Sequence, residues 1–106
     1  MKVAITSTGS TSDSKLDQRF GRCSYFAIYD TETRETEFIP NPGKDATDGA
    51  GPAAVQIVAS RNVKKIISGD FGAKIRSLLD NLGIEMTAIK DPEKSISDIV
   101  NMLGKQ

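Results

Sequence analysis

A chain of 106 residues with 14 basic and 14 acidic side chains, 38% hydrophobic and 26% charged, has the length of one modest core, so residues 1–106 are read as a single domain. Its balanced charge leaves no global field to recruit nucleic acid or an anionic membrane. One cysteine and no histidine exclude an internal disulfide, a closed zinc site and every Ser-His or Cys-His nucleophile.

Residues 2–6 (KVAIT) read as a short buried strand, too short an apolar run for a signal-peptide core or a spanning helix, and a cytoplasmic location is expected. The Ser/Thr/Gly run that follows reads as a loop, because such side chains compete for backbone hydrogen bonds. Residues 25–30 (YFAIYD) form a second, nearly continuous apolar strand, and residues 34–39 (RETEFI) alternate charge with Thr36 and Phe38. The short polar DTET between them predicts an antiparallel hairpin with the charged strand at the sheet edge.

After a long Gly/Pro/Asp loop at 40–52 the pattern changes to helix–strand alternation. Pro52 suits the first position of a helix carrying Val55, Ile57 and Val58, and residues 65–68 (KIIS) read as a buried strand. Phe71, Ile75, Leu78, Leu79 and Leu82 then make one apolar helical stripe, closed by Gly83. Residues 85–89 (EMTAI) are a fifth strand, and Ile96, Ile99, Val100 and Leu103 mark a last helix capped by Ser95. The order β-β-β-α-β-α-β-α predicts an α/β fold in which right-handed crossovers set the later strands beside the first. The result is a five-stranded mixed sheet between helices, the three-layer layout of ribonuclease H-like folds.

Several short patterns resemble known sites. Residues 49–54 (GAGPAA) satisfy G-x-G-x-x-A, with Asp70 beyond the next strand, but a dinucleotide fingerprint places its glycines directly after a buried strand, and here a loop intervenes. What survives is an anion-friendly helix start near Gly51 and Ala53. Gly43-Lys44 lacks the leading glycine and following hydroxyl of a phosphate loop, and Asp45 and Asp48 read as a solvated turn. Strands one and four carry no acid, so a two-metal nuclease is not expected. Gly69 to Gly72 (GDFG) end a strand that should lie parallel to the first, placing loops 7–15, 69–72 and 49–52 around one crevice. GDFG also reads as a plain strand–helix turn.

Cys23 lies between Arg22 and the second strand. A lone cysteine is commonly a small buried hydrophobe. If Arg19 and Arg22 face it, their charge favours the thiolate that ligates metals; alternatively they pair with Asp13 or Asp17.

Residues 17–30 (DQRFGRCSYFAIYD), the FIPNP that follows and the stretch from DGAGPAAVQIV to NLGIEM resemble the dinitrogenase iron-molybdenum cofactor biosynthesis family over nearly the whole chain. The most specific elements are Arg19-Phe20-Gly21-Arg22, the Asn41-Pro42 turn, and Gly49-x-Gly51-Pro52 opening the first helix. The resemblance implies a non-catalytic carrier that binds an iron-sulfur or iron-molybdenum-sulfur cluster and serves metallocluster assembly or storage with donor and acceptor proteins. Arg19, Arg22, Cys23, Gly49, Gly51 and Gly69 are the expected cofactor-binding residues, with Cys23 the metal ligand and the protein a monomer or weak homodimer. Family members often carry histidine in the loop corresponding to residues 41–51, and this chain has none. Soft clusters favour thiolate or imidazole, which leaves Cys23 as the one strong ligand. Three arrangements follow: two Cys23 residues across a dimer, a cluster held by charge and backbone donors with Lys15 contributing, or loss of cluster binding. The alternative class is a regulatory or interaction module that binds a small anion or a protein partner.

Overall fold

Alternation along the first strand sets the layers. In β1 (Lys2–Ser7), Val3 and Ile5 enter one apolar cluster and Ala4 the other, and all three are fully buried. β2 (Tyr25–Asp30) behaves the same way, with Phe26 and Ile28 on one side and Ala27 on the other. A computed structural model describes residues 1–104. Its remaining elements are β3 (Thr36–Pro40), α1 (Ala50–Ser60), β4 (Val63–Ser68), α2 (Ala73–Asn81), β5 (Glu85–Ala88) and α3 (Ile96–Leu103). The sheet order is β3-β2-β1-β4-β5: β1 pairs antiparallel with β2 and parallel with β4, β2–β3 is the expected hairpin, and β5 extends the parallel half. Helices α1 and α2 cover one face through Ala54, Val58, Ile75 and Leu79, and α3 covers the other through Ile96 and Ile99. This is the three-layer, mixed-sheet fold that the element order predicts.

Boundaries moved where local chemistry outweighs periodicity. α1 begins at Ala50, two residues before Pro52, which still sits in the first turn where its missing N–H has no intrahelical acceptor. Phe71 lies outside α2, packed against Phe20 with ring centroids 5.8 Å apart. Gly83 ends α2 with φ +71° in a Schellman arrangement: its N–H donates to Asp80 O, and that of Ile84 to Leu79 O, both at 3.0 Å. Ser95 caps α3, reciprocally with Asp98.

The topology decides where a ligand can sit. Because β1, β4 and β5 are parallel and β2 starts opposite Ser7, the loops 8–24, 41–49, 69–72 and 89–95 gather at one sheet edge. All three helices begin there. No helix among the described residues is long and apolar enough to cross a membrane.

Candidate functional site

The crevice expected between the ends of β1 and β4 is floored by the chain itself. Residues 16–18 cross it: Leu16 N donates to Lys94 O at 2.8 Å, Asp17 N to Thr6 O at 2.9 Å, and Gly69 N to Asp17 O at 3.3 Å. Thr6 Oγ1 also donates to Asp17 O at 2.8 Å and lies 2.9 Å from Ser68 Oγ, and all three residues are buried. These short buried contacts satisfy the polar groups that a strand end would otherwise leave open. They fix residue 17 against the sheet.

Arg19 and Arg22 do not converge on the Cys23 sulfur. Arg19 Nε sits 3.2 Å from Asp17 Oδ1, with the carboxylate nearly buried and the guanidinium side chain 64% exposed. That hydrogen bond and the carboxylate charge raise the Arg19 pKa further. Arg22 donates through Nη1 to Ala46 O and so ties the 41–49 loop to the approach of β2. Cys23 has no exposed surface and belongs to the cluster that includes Phe20 and Phe26. Burial, followed by the Asp17 charge, pushes its thiol up to about 12. Of the two arrangements the sequence leaves open, Arg19 takes the pairing with Asp17: the carboxylate takes up its charge, and desolvation penalises the thiolate. In this arrangement Cys23 is a neutral core thiol, and no metal reaches its sulfur without displacing core atoms.

Of the glycines expected at the site, Gly49 has φ +73°, a conformation that glycine tolerates, and precedes α1. Gly51 and Gly69 serve close packing. A Cβ on Gly51 would lie 2.6 Å from Ile75 Cδ1, and one on Gly69 would lie 2.4 Å from Gln18 Cδ and Oε1. Gly21 is a further close approach, since a Cβ there would lie 2.9 Å from Gly51 N, and it sets residues 21–22 directly against the start of α1.

The three helix starts differ in how their free N–H groups are met. Ser95 and Asp98 close α3. Asp70 Oδ1 accepts from Phe71 N at 2.8 Å before α2, and its pKa is lowered by the Phe71 and Gly72 amides and by Lys90. α1 has neither a side-chain cap nor an acid in its first turn, and the same holds for α2, because Phe71 N lies ahead of its Gly72 N-cap. The edge thus brings Arg22, Gly21 and the α1 start together on one side, and Asp17, Gln18, Arg19 and Gly69 on the other, with the Phe20–Phe71 pair between them. Among the described residues no group of three or more Cys, Asp or Glu side chains is placed to hold a metal ion.

Two contributors escape sequence reasoning. Asn41, 5% exposed, donates through Nδ2 to Gly21 O and Cys23 O, a clamp for which the Asn-Pro turn is the only advance signal. Gln18 carries no signal at all in a single sequence.

This geometry defines a ribonuclease H-like domain whose charged loops and helix starts share one edge. The family model described as dinitrogenase iron-molybdenum cofactor matches residues 1–106, and the chain belongs to that family. An uncharacterised protein of Methanocaldococcus jannaschii is 30% identical over 89 residues, which cover 81% of this chain and 72% of that protein. Among solved structures, the apo form of the orange protein from Desulfovibrio gigas superposes with a TM-score of 0.88 at 26% identity, covering 96% of this chain and 85% of the other. A Thermotoga protein described as a candidate NifB protein superposes with a TM-score of 0.82 at 30% identity, covering 98% and 87%.

Proposed function

We propose that the chain is a non-catalytic, cytoplasmic carrier for an anionic iron-sulfur or iron-molybdenum-sulfur cluster, received from and delivered to assembly proteins. The observation that carries the reading is the edge itself: an uncapped α1 start beside Arg22, with the exposed Arg19 and Lys15 nearby in the chain. Membership of the cofactor family supports the ligand class. A sulfide cluster carries negative charge over its surface, so guanidinium groups and main-chain N–H donors hold it without a coordinate bond. With Cys23 sealed in the core, this charge-based mode is favoured over thiolate ligation. Loose holding suits a carrier, which must release its cargo.

The alternative reading is an interaction module that binds a small anion or a protein at the same edge and carries no cluster. The absence of a clustered ligand set among the described residues favours it. One experiment separates the two: anaerobic incubation with iron, sulfide and molybdate, desalting, and visible spectra of the native chain, of Cys23→Ser and of the Arg19→Ala/Arg22→Ala double variant. Colour retained by the native chain and by Cys23→Ser but lost in the double variant is the expected result. Colour lost in Cys23→Ser assigns ligation to the thiol, and a colourless native chain leaves the interaction module.

A further inference from the structure

Gln18 sits at the centre of the edge, between Asp17, whose carbonyl is fixed by Thr6 and Gly69, and the notch that Gly69 leaves open. Its Cδ and Oε1 occupy the place of a Gly69 Cβ, at 2.4 Å from it, so the amide is seated where only glycine permits. Yet Nε2 is buried and has no hydrogen-bond partner among the described residues, and it alone is so placed among their buried side-chain nitrogens and oxygens. A buried donor left unpaired costs on the order of 1–3 kcal/mol, so a partner that reaches it is favoured. The residue as a whole is only partly buried. Rotation of the amide therefore brings its N–H groups toward the surface and breaks no hydrogen bond within the protein.

We infer that Gln18 is a cargo-positioning residue: its amide turns outward to donate to an anionic sulfide or oxo ligand of the bound cluster. This rests on the carrier reading and adds to it a neutral, directional donor next to Arg19 in the chain. Charge attracts the cluster from any side, whereas an N–H donor on the residue that follows the Asp17 carbonyl, itself fixed by Thr6 and Gly69, favours one orientation.

The test uses the full chain, isotope-labelled, titrated anaerobically with tetrathiomolybdate as the probe and followed by visible absorbance and by the side-chain amide resonances. The expected result is that the Gln18 amide pair, assigned by its loss in Gln18→Ala, shifts with the same midpoint as the absorbance. Gln18→Ala should bind the probe about tenfold more weakly with a thermal midpoint no lower than native, and Gln18→Glu should bind it more weakly still. Uptake of the probe with the Gln18 pair unmoved and both variants native-like overturns this inference alone. Equal losses of affinity and thermal midpoint make Gln18 a packing residue, which also overturns it. No uptake by the native chain overturns the carrier reading and this inference together.

Discussion

Asn41 and Cys23 are bound together at the start of β2: Asn41 Nδ2 donates to Cys23 O at 2.9 Å and lies 3.8 Å from Cys23 Sγ. The same amide donates to Gly21 O at 3.0 Å, and Oδ1 accepts from Gly43 N at 3.1 Å. One buried side chain thus joins the approach to β2, the thiol and the 41–49 loop. Asn41→Ala removes three hydrogen bonds and leaves two carbonyls and one N–H to find other partners. We expect a loss of about 3 kcal/mol, read as a lower urea midpoint. Asn41→Asp keeps the acceptor for Gly43 N but loses both donations and buries a charge, so it should be no more stable than the alanine variant.

Cys23 gives a prediction with a definite pH window. Its thiol titrates at about 12 in the folded protein, against an ordinary value of 9.0. Below pH 9 both states hold the proton and the group contributes no pH dependence. Between about 9 and 12 the unfolded chain loses its proton while the folded chain keeps it, so stability falls as pH rises, by roughly 1.4 kcal/mol per pH unit. Chemical unfolding at pH 8 and pH 10 should show a steeper loss for the native protein than for Cys23→Ala. The variant itself should cost about 1–2 kcal/mol at pH 8, for the small cavity it leaves. Iodoacetamide should modify native Cys23 far more slowly than unfolded Cys23, because neither the thiolate nor the path to it is present.

The same thiol marks the boundary of what sequence reasoning reaches. The buried apolar runs of β1 and β2, the Ile75, Leu78 and Leu79 part of the α2 stripe and the Ser95 cap follow from local rules, and the structure contains each of them. The pairing of β1 with β4 followed from crossover handedness. Arg19 takes Asp17, one of the two acids the sequence offered, but the partners of Arg22 and Cys23 did not follow, because they depend on how residues 8–24 fold back over the strand ends, and nothing periodic encodes that path. Gly51 and Gly69 could be located but not explained: a glycine in a loop looks the same whether it cradles a ligand or makes room for Ile75 or Gln18.

Close packing at the α1 start predicts a specific failure of additivity. A Cβ on Gly21 meets backbone, 2.9 Å from Gly51 N and 3.0 Å from Gly51 Cα, so Gly21→Ala should cost about 2 kcal/mol with no local remedy. A Cβ on Gly51 meets the end of a side chain, Ile75 Cδ1, at 2.6 Å. Removing that methyl with Ile75→Val should therefore lessen the penalty of Gly51→Ala, while the penalty of Gly21→Ala stays unchanged in the same background. A double-mutant cycle in urea gives the coupling directly, expected at about 1 kcal/mol for Gly51 with Ile75 and near zero for Gly21 with Ile75.

Ser95 links the stability of α3 to the segment that floors the edge. Its hydroxyl accepts from Asp98 N at 3.0 Å, and Asp98 Oδ2 accepts from Ser95 N at 3.1 Å. The chain on either side is stitched to the first loop by Leu16 N to Lys94 O at 2.8 Å, Ile96 N to Ser14 O at 2.9 Å and Ser97 N to Ser12 O at 2.9 Å. Ser95→Ala should cost about 1 kcal/mol, and it should also speed amide exchange at Leu16, whose acceptor is Lys94. The backbone and side chain of Ser95 hold the Asp98 carboxyl below its ordinary range, so the box contributes stability above the unfolded carboxylate pKa and loses it as pH falls. The Asp98 titration followed by NMR should accordingly move up in Ser95→Ala. The stability difference between native and variant should narrow below pH 4, and a difference that stays constant from pH 7 to pH 3 would show that the Ser95 hydroxyl caps α3 independently of the Asp98 carboxylate.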